Sequence, residues 1–137
     1  MKLSIPIKVL LVFAFLAFSL YGFLIKLPVP FRKIDKEMHT LFYFLAAAFL
    51  NLLFARRNLL IHILLFLALL GFGYCIEYAQ EYSNTFFHKR IHGRFDIEDI
   101  RANNKGLFLF SAVWIGINLV LLAFFRSGRR RAAQPSQ

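Results

Sequence analysis

Cysteine is nearly absent from this chain, and acidic residues are few. The one cysteine, Cys75, sits inside an apolar run, which excludes an intrachain disulfide and a cysteine-based metal centre and leaves the redox compartment open. Seven Asp and Glu stand against 17 Lys and Arg, giving a net charge of +10. A recognised nucleophile motif and dense metal-ligand spacing are also lacking, so the sequence assigns no metal site and requires no cofactor. Internal repeats are not evident, which argues against an alternating-access transporter.

Hydrocarbon dominates what is there. Of 137 residues, 59% are hydrophobic and 18 are Phe, with a mean hydropathy of +0.60. A soluble domain of this length could not hide so much apolar surface. The expected fold class is an all-α integral membrane protein, with the lipid bilayer as its first partner. Nucleic acid is not an expected partner, because the basic residues flank apolar runs, where they snorkel to head groups.

A hydrocarbon core of about 30 Å needs about 20 helical residues. Four runs qualify, at about 7–25, 39–55, 58–77 and 106–125. The second is short unless its helix begins near Ile34, after the Pro28–Pro30 break. The expected architecture is a four-helix transmembrane bundle within residues 1–125, followed by a basic tail over 126–137. One longer polar loop, Ser83–Arg94, joins spans three and four. The first run carries a passable small-x-small cleavage site at Ala17–Ser19, but it continues apolar beyond it and reads as a retained helix.

One membrane face would carry Lys2, Lys8, Arg56, Arg57, Arg126 and Arg129–Arg131, with no acids. The other would carry nine basic residues and all seven acids. The Arg-rich stretch hard against the fourth span and the short Arg56–Arg57 turn place both termini in the cytoplasm of a plasma (inner) membrane protein.

The polar positions on the second face have helical spacing. Asp35 and His39 are four apart, and Glu77 and Gln80 three apart. Asp96, Asp99, Asn103 and Gly106 form a continuous stripe into the fourth span. Carboxylates with an imidazole could hold a divalent cation, act as acid and base, or bridge to Lys and Arg. Bland readings stand beside these: Asp96 and Asp99 suit a helix N-cap and first turn, and polar pairs hold membrane helices together. Ala102/Gly106 and Ala112/Gly116 are small pairs suited to close helix approach. Asn51, His62, Ser111 and Asn118 suit interhelical hydrogen bonds. Tyr74, Tyr78 and Tyr82 suit an interfacial aromatic belt. His88 and His92 share a helical spacing, but Gly93 and the loop setting argue against a metal pair.

"DKEMHTLFYFLAAA" (35–48), "EYAQ" (77–80) and "GRFDIEDIRANNKG" (93–106) resemble the VanZ-like membrane proteins. The shared pattern is Asp35-Lys36 with His39, Glu77-x-x-Gln80, Arg94, and Asp99-x-x-x-Asn103-x-x-Gly106. The stretch from Gln80 to Arg94 is longer than usual, and Phe110 stands where a glycine is often found. The resemblance implies a small polytopic bacterial envelope protein, of a family named for a member linked to teicoplanin resistance but without an established general reaction. Three readings follow. In the first, an outward cluster recognises an anionic lipid-linked or cell-wall ligand, with Lys36, His39 and Arg94 on the anion, Glu77, Asp99 and Asn103 orienting them or accepting hydrogen bonds, and Asp35 and Gln80 in the same ligand-binding set. In the second, a metal- or acid/base-dependent transferase or hydrolase uses Asp99, Glu77 and His39 as catalytic groups. In the third, the chain is a structural scaffold or subunit, and a homo-oligomer is compatible with all three.

Overall fold

The computed structural model describes residues 3–24, 34–88 and 95–132. Four helices follow one another: α1 (Ile5–Leu24), α2 (Asp35–Leu50), α3 (Leu59–Phe86) and α4 (Ile97–Ala132). Each contains a stretch long and apolar enough to cross a membrane. The chain is thus an all-α four-helix membrane bundle, as its composition predicts.

The ends of α2 and α3 differ instructively from the apolar runs. α2 begins at Asp35, with Ile34 as its N-cap residue, so the helix gains the turn that the apolar run lacks. Its far end widens into a π turn over Asn51–Ala55, closed by Arg56 N–H on the Asn51 carbonyl at 3.0 Å. The Asn51 side-chain amide meanwhile donates to the Ala47 carbonyl, 2.8 Å away. Arg56 then reverses the chain at φ 48°, and the Asn58 side chain caps α3 by accepting from Ile61 N–H. The hairpin expected at Arg56–Arg57 forms there.

α3 does not stop near Glu77 but runs to Phe86, while α4 starts at Ile97, directly after the expected Asp96 cap and ahead of the apolar run at 106. Hydropathy marks where hydrocarbon ends, whereas a helix continues until a breaker or a better hydrogen-bond partner stops it. Residues 78–86 contain neither Gly nor Pro. The polar connection is correspondingly shorter than Ser83–Arg94. α4 likewise continues past Phe125 to Ala132, so the first part of the basic tail is helical.

Contacts at both ends define an up-down-up-down arrangement. Lys8 Nζ donates to the Leu53 carbonyl at 2.6 Å, while Phe23 lies against His39. α1 therefore runs antiparallel to α2. α2 and α4 run parallel in direct contact, with Thr40 Oγ1 donating to the Ala102 carbonyl (3.1 Å) and Phe44 against Phe110. All seven acids consequently lie at the end where α2 and α4 begin and α3 finishes.

Gly106 sets the α2–α4 distance. A Cβ built there would collide with the Thr40 carbonyl oxygen and lie 3.0 Å from Phe44 N. Among the described residues a Cβ at Gly116 meets nothing within 4 Å, so Gly116 makes no comparable close approach there. Around this approach the core closes on Tyr43, Ala46, Ala47, Leu69, Leu107 and Trp114. Large side chains such as Phe13, Phe18, Phe108 and Phe124 remain exposed, as lipid contact requires.

Candidate functional site

Two polar clusters sit inside this apolar frame, one near each end. The first lies beside the Arg56 turn. His62 Nδ1 pairs with Asn51 Oδ1 at 2.8 Å, the His62 ring stacks flat on Trp114 at 4.2 Å, and Trp114 Nε1 donates to the Arg56 carbonyl at 3.1 Å. Both Asn51 and His62 are buried. They form the interhelical bond expected of them, and the cluster locks the hairpin to α4. Asn118 instead bonds within its own helix, to the Trp114 carbonyl at 2.8 Å. Ser111 Oγ is buried without a hydrogen-bond partner among the described residues.

The second cluster gathers most of the sequence-predicted residues. Asp35, Lys36 and His39 come from the first turns of α2, Glu77 from α3, and Asp99 and Asn103 from α4. Acids in the first turns of α2 and α4 complement the positive ends of both helix dipoles. Lys36 Nζ bonds Asp96 Oδ2 at 2.5 Å and also bonds Asp99 Oδ1. His39 Nδ1 donates to Asn103 Oδ1 at 2.8 Å. An amide oxygen only accepts, so this bond assigns the proton to Nδ1. The other ring nitrogen, Nε2, faces Asp35 Oδ1 at 3.9 Å and Asp99 Oδ1 at 4.0 Å.

Glu77 is fully buried. Its Oε2 accepts from Asp96 N–H at 3.1 Å, tying the start of α4 to α3, while Oε1 has no partner among the described residues. The Tyr43 hydroxyl is also buried without a partner among the described residues. Gly73 makes room for it, since a Cβ there would lie 3.1 Å from both Tyr43 OH and Asn103 Nδ2. Tyr43 and Gly73 were not singled out from sequence. Both read as ordinary span residues, and only the fold places them against Asn103.

Gln80 goes elsewhere: its amide donates to the Phe23 carbonyl at 2.8 Å and fastens α3 to α1. Arg94 and His92 lie outside the described residues. His88 adopts φ 48° just past the end of α3. Asp96 combines two roles. Its side chain caps α4 by accepting from Glu98 N–H at 2.8 Å, and its other oxygen holds Lys36. That second role was missed because a cap explains the residue well enough in one dimension. The Lys36 hydrogen bond holds the Asp96 carboxyl below its usual value, with burial acting weakly in the opposite direction. Glu81 accepts from Phe95 N–H at 3.2 Å, and Glu98 pairs with exposed Arg101. Tyr78 and Tyr82 are exposed at the same end, beside Phe95 and Phe86.

Outside the cluster, a groove of 440 Å³ runs along the α2–α4 seam. Lys36, Arg101 and Lys105 supply cations, with Glu37 and Glu98 between them, and Leu41, Phe44 and Leu109 continue the lining. The lining therefore grades from charged near the helix starts to apolar further along. Among the described residues Lys105 has no ion-pair partner.

No family model, curated protein or solved structure matches the chain.

Proposed function

We propose that this chain is a VanZ-like integral membrane protein of the bacterial envelope that binds an anionic, lipid-linked ligand along the α2–α4 seam. The groove carries the reading. Its charged part, with Lys36, Arg101 and Lys105, suits a phosphate or carboxylate head group, while Leu41, Phe44 and Leu109 suit the chain that follows. A lipid entering sideways from the bilayer meets those two chemistries in that order. Lys36 then has a double position, lining the groove and bonding Asp99.

In this reading both termini are cytoplasmic and the acid-rich end faces outward. A topology reporter fused after Gln137 is active only on the cytoplasmic side. Activity on the outer side alone reverses the orientation and moves the groove's head-group end to the inner leaflet.

The ligand test uses nanodiscs containing equal phosphatidylglycerol and phosphatidylcholine, with retained lipid read by native mass spectrometry. Wild-type protein retains phosphatidylglycerol preferentially, and the double change Arg101→Gln with Lys105→Gln abolishes the preference. Equal retention of the two lipids by wild type, or an unchanged preference in the double variant, refutes the groove.

A second reading is a transferase or hydrolase of a lipid-linked substrate that uses Asp99, Glu77 and His39. The grouping of His39 with two carboxylates, one Lys36 side chain away from the groove, favours it. Glu77→Gln and Asp99→Asn nearly preserve shape. Loss of turnover with lipid retention intact supports the enzyme, and retained turnover refutes these roles.

A further inference from the structure

The geometry assigns a divalent-metal site to Asp35, His39 and Asp99, with Zn2+ or Mn2+ as the class of ion. This goes beyond lipid binding and does not depend on it.

Each of the three side chains offers one donor atom, and those atoms all lie within 4.8 Å of one another. His39 Nε2 is 3.9 Å from Asp35 Oδ1 and 4.0 Å from Asp99 Oδ1. These separations are too long for hydrogen bonds. A cation equidistant from three atoms so spaced lies about 2.5 Å from each, and a small closure of the carboxylates reaches ordinary metal–ligand lengths. One imidazole with two carboxylates suits a first-row divalent ion better than Mg2+ or Ca2+, which take oxygen ligands. Three protein ligands leave further coordination positions open, as in catalytic rather than structural sites.

Two independent features fit the same ion. The first is the hydrogen bond from His39 Nδ1 to Asn103, which leaves Nε2 facing the carboxylates. Metal-bound histidines are held in this way through their other ring nitrogen. The second is Glu77, fully buried, with Oε1 unpartnered among the described residues and its carboxyl group in electrostatic range of His39 and Asp99. Among the described residues, the ammonium that bonds carboxylates of this cluster is Lys36, through Asp96 and Asp99. That ammonium takes the same Asp99 oxygen that faces His39, so Lys36 and the metal compete for it.

The test uses full-length protein in nanodiscs, stripped with EDTA and titrated separately with Zn2+ and Mn2+. Binding is read by calorimetry and by metal content after desalting. Co2+ serves as a spectroscopic probe of imidazole ligation. Wild type binds about one ion per chain. Asp35→Asn, at a partly exposed position, and His39→Gln weaken binding at least about 10-fold, and His39→Gln also changes the Co2+ spectrum. Asn103→Ala weakens binding about 10- to 100-fold. Lys36→Met strengthens it, and Glu98→Gln leaves it unchanged. Helical circular dichroism confirms that each variant is folded. Folded wild type without stoichiometric metal overturns the site, as does wild-type affinity in both Asp35→Asn and His39→Gln. Neither result touches the phosphatidylglycerol preference, so the two proposals fail separately.

Discussion

Adding one methyl group at Gly106 tests the α2–α4 seam on which both the cluster and the groove depend. A Cβ at this position runs into the Thr40 carbonyl oxygen and reaches 3.0 Å from Phe44 N. Both obstacles are backbone, so no side-chain rotation relieves them and the two helices must separate. Forcing extra volume into a packed interior costs typically about 1–3 kcal/mol. Alanine recovers up to about 1 kcal/mol over glycine in a helix interior. Gly106→Ala is therefore expected to destabilise by about 0–2 kcal/mol net, and by about 1–3 kcal/mol relative to a glycine-to-alanine change that makes only the helix gain. Gly116→Ala is the matched control, because a Cβ there meets nothing within 4 Å and only the helix gain remains. Separation also lengthens the Thr40–Ala102 and His39–Asn103 bonds, so the metal and lipid readouts should weaken together. The assay is reversible unfolding in mixed micelles, followed by circular dichroism. Equal stability of the two variants refutes the close approach.

Two further predictions concern the opposite end and the acid limb. Asn51→Leu leaves His62 Nδ1 buried without its 2.8 Å partner and should cost about 1–3 kcal/mol in the same unfolding assay, whereas the pair change Asn51→Leu with His62→Phe should recover part of the loss. No cost for the single change refutes that hydrogen bond. Asp96 has its folded-state pKa lowered chiefly by Lys36, so its contribution is present above the ordinary value of 3.8 and is lost as pH falls below it through the folded value. Thermal melts from pH 6 to pH 3 should thus fall less steeply in Lys36→Met than in wild type. Parallel slopes refute the Lys36–Asp96 pair as their origin.

Membrane residence and the number of helices were legible in sequence because both follow from one-dimensional quantities: the length of an apolar run and the cost of leaving backbone polar groups unpaired in hydrocarbon. The collection of all acids at one end followed as well, since four spans alternate direction. Helix ends were less legible. Hydropathy falls at Glu77, yet α3 continues to Phe86, because nothing between them breaks a helix.

Within the cluster, spacing by itself put Asp35 with His39 and Asp99 with Asn103, since helical periodicity is local. It could not put His39 against Asn103, or Lys36 between Asp96 and Asp99. Those pairings join residues about 60 positions apart and exist only because Gly106 lets α2 and α4 touch. Glu77 and Gln80 show the limit most plainly. They sit three residues apart on one helix, yet Glu77 is directed to α4 and Gln80 to α1. The amino-acid sequence thus determined a four-span, acid-ended membrane bundle, since hydrophobicity and helical period act along the chain. The tertiary structure decided which of the ionisable groups meet, since that depends on how closely two helix backbones can approach.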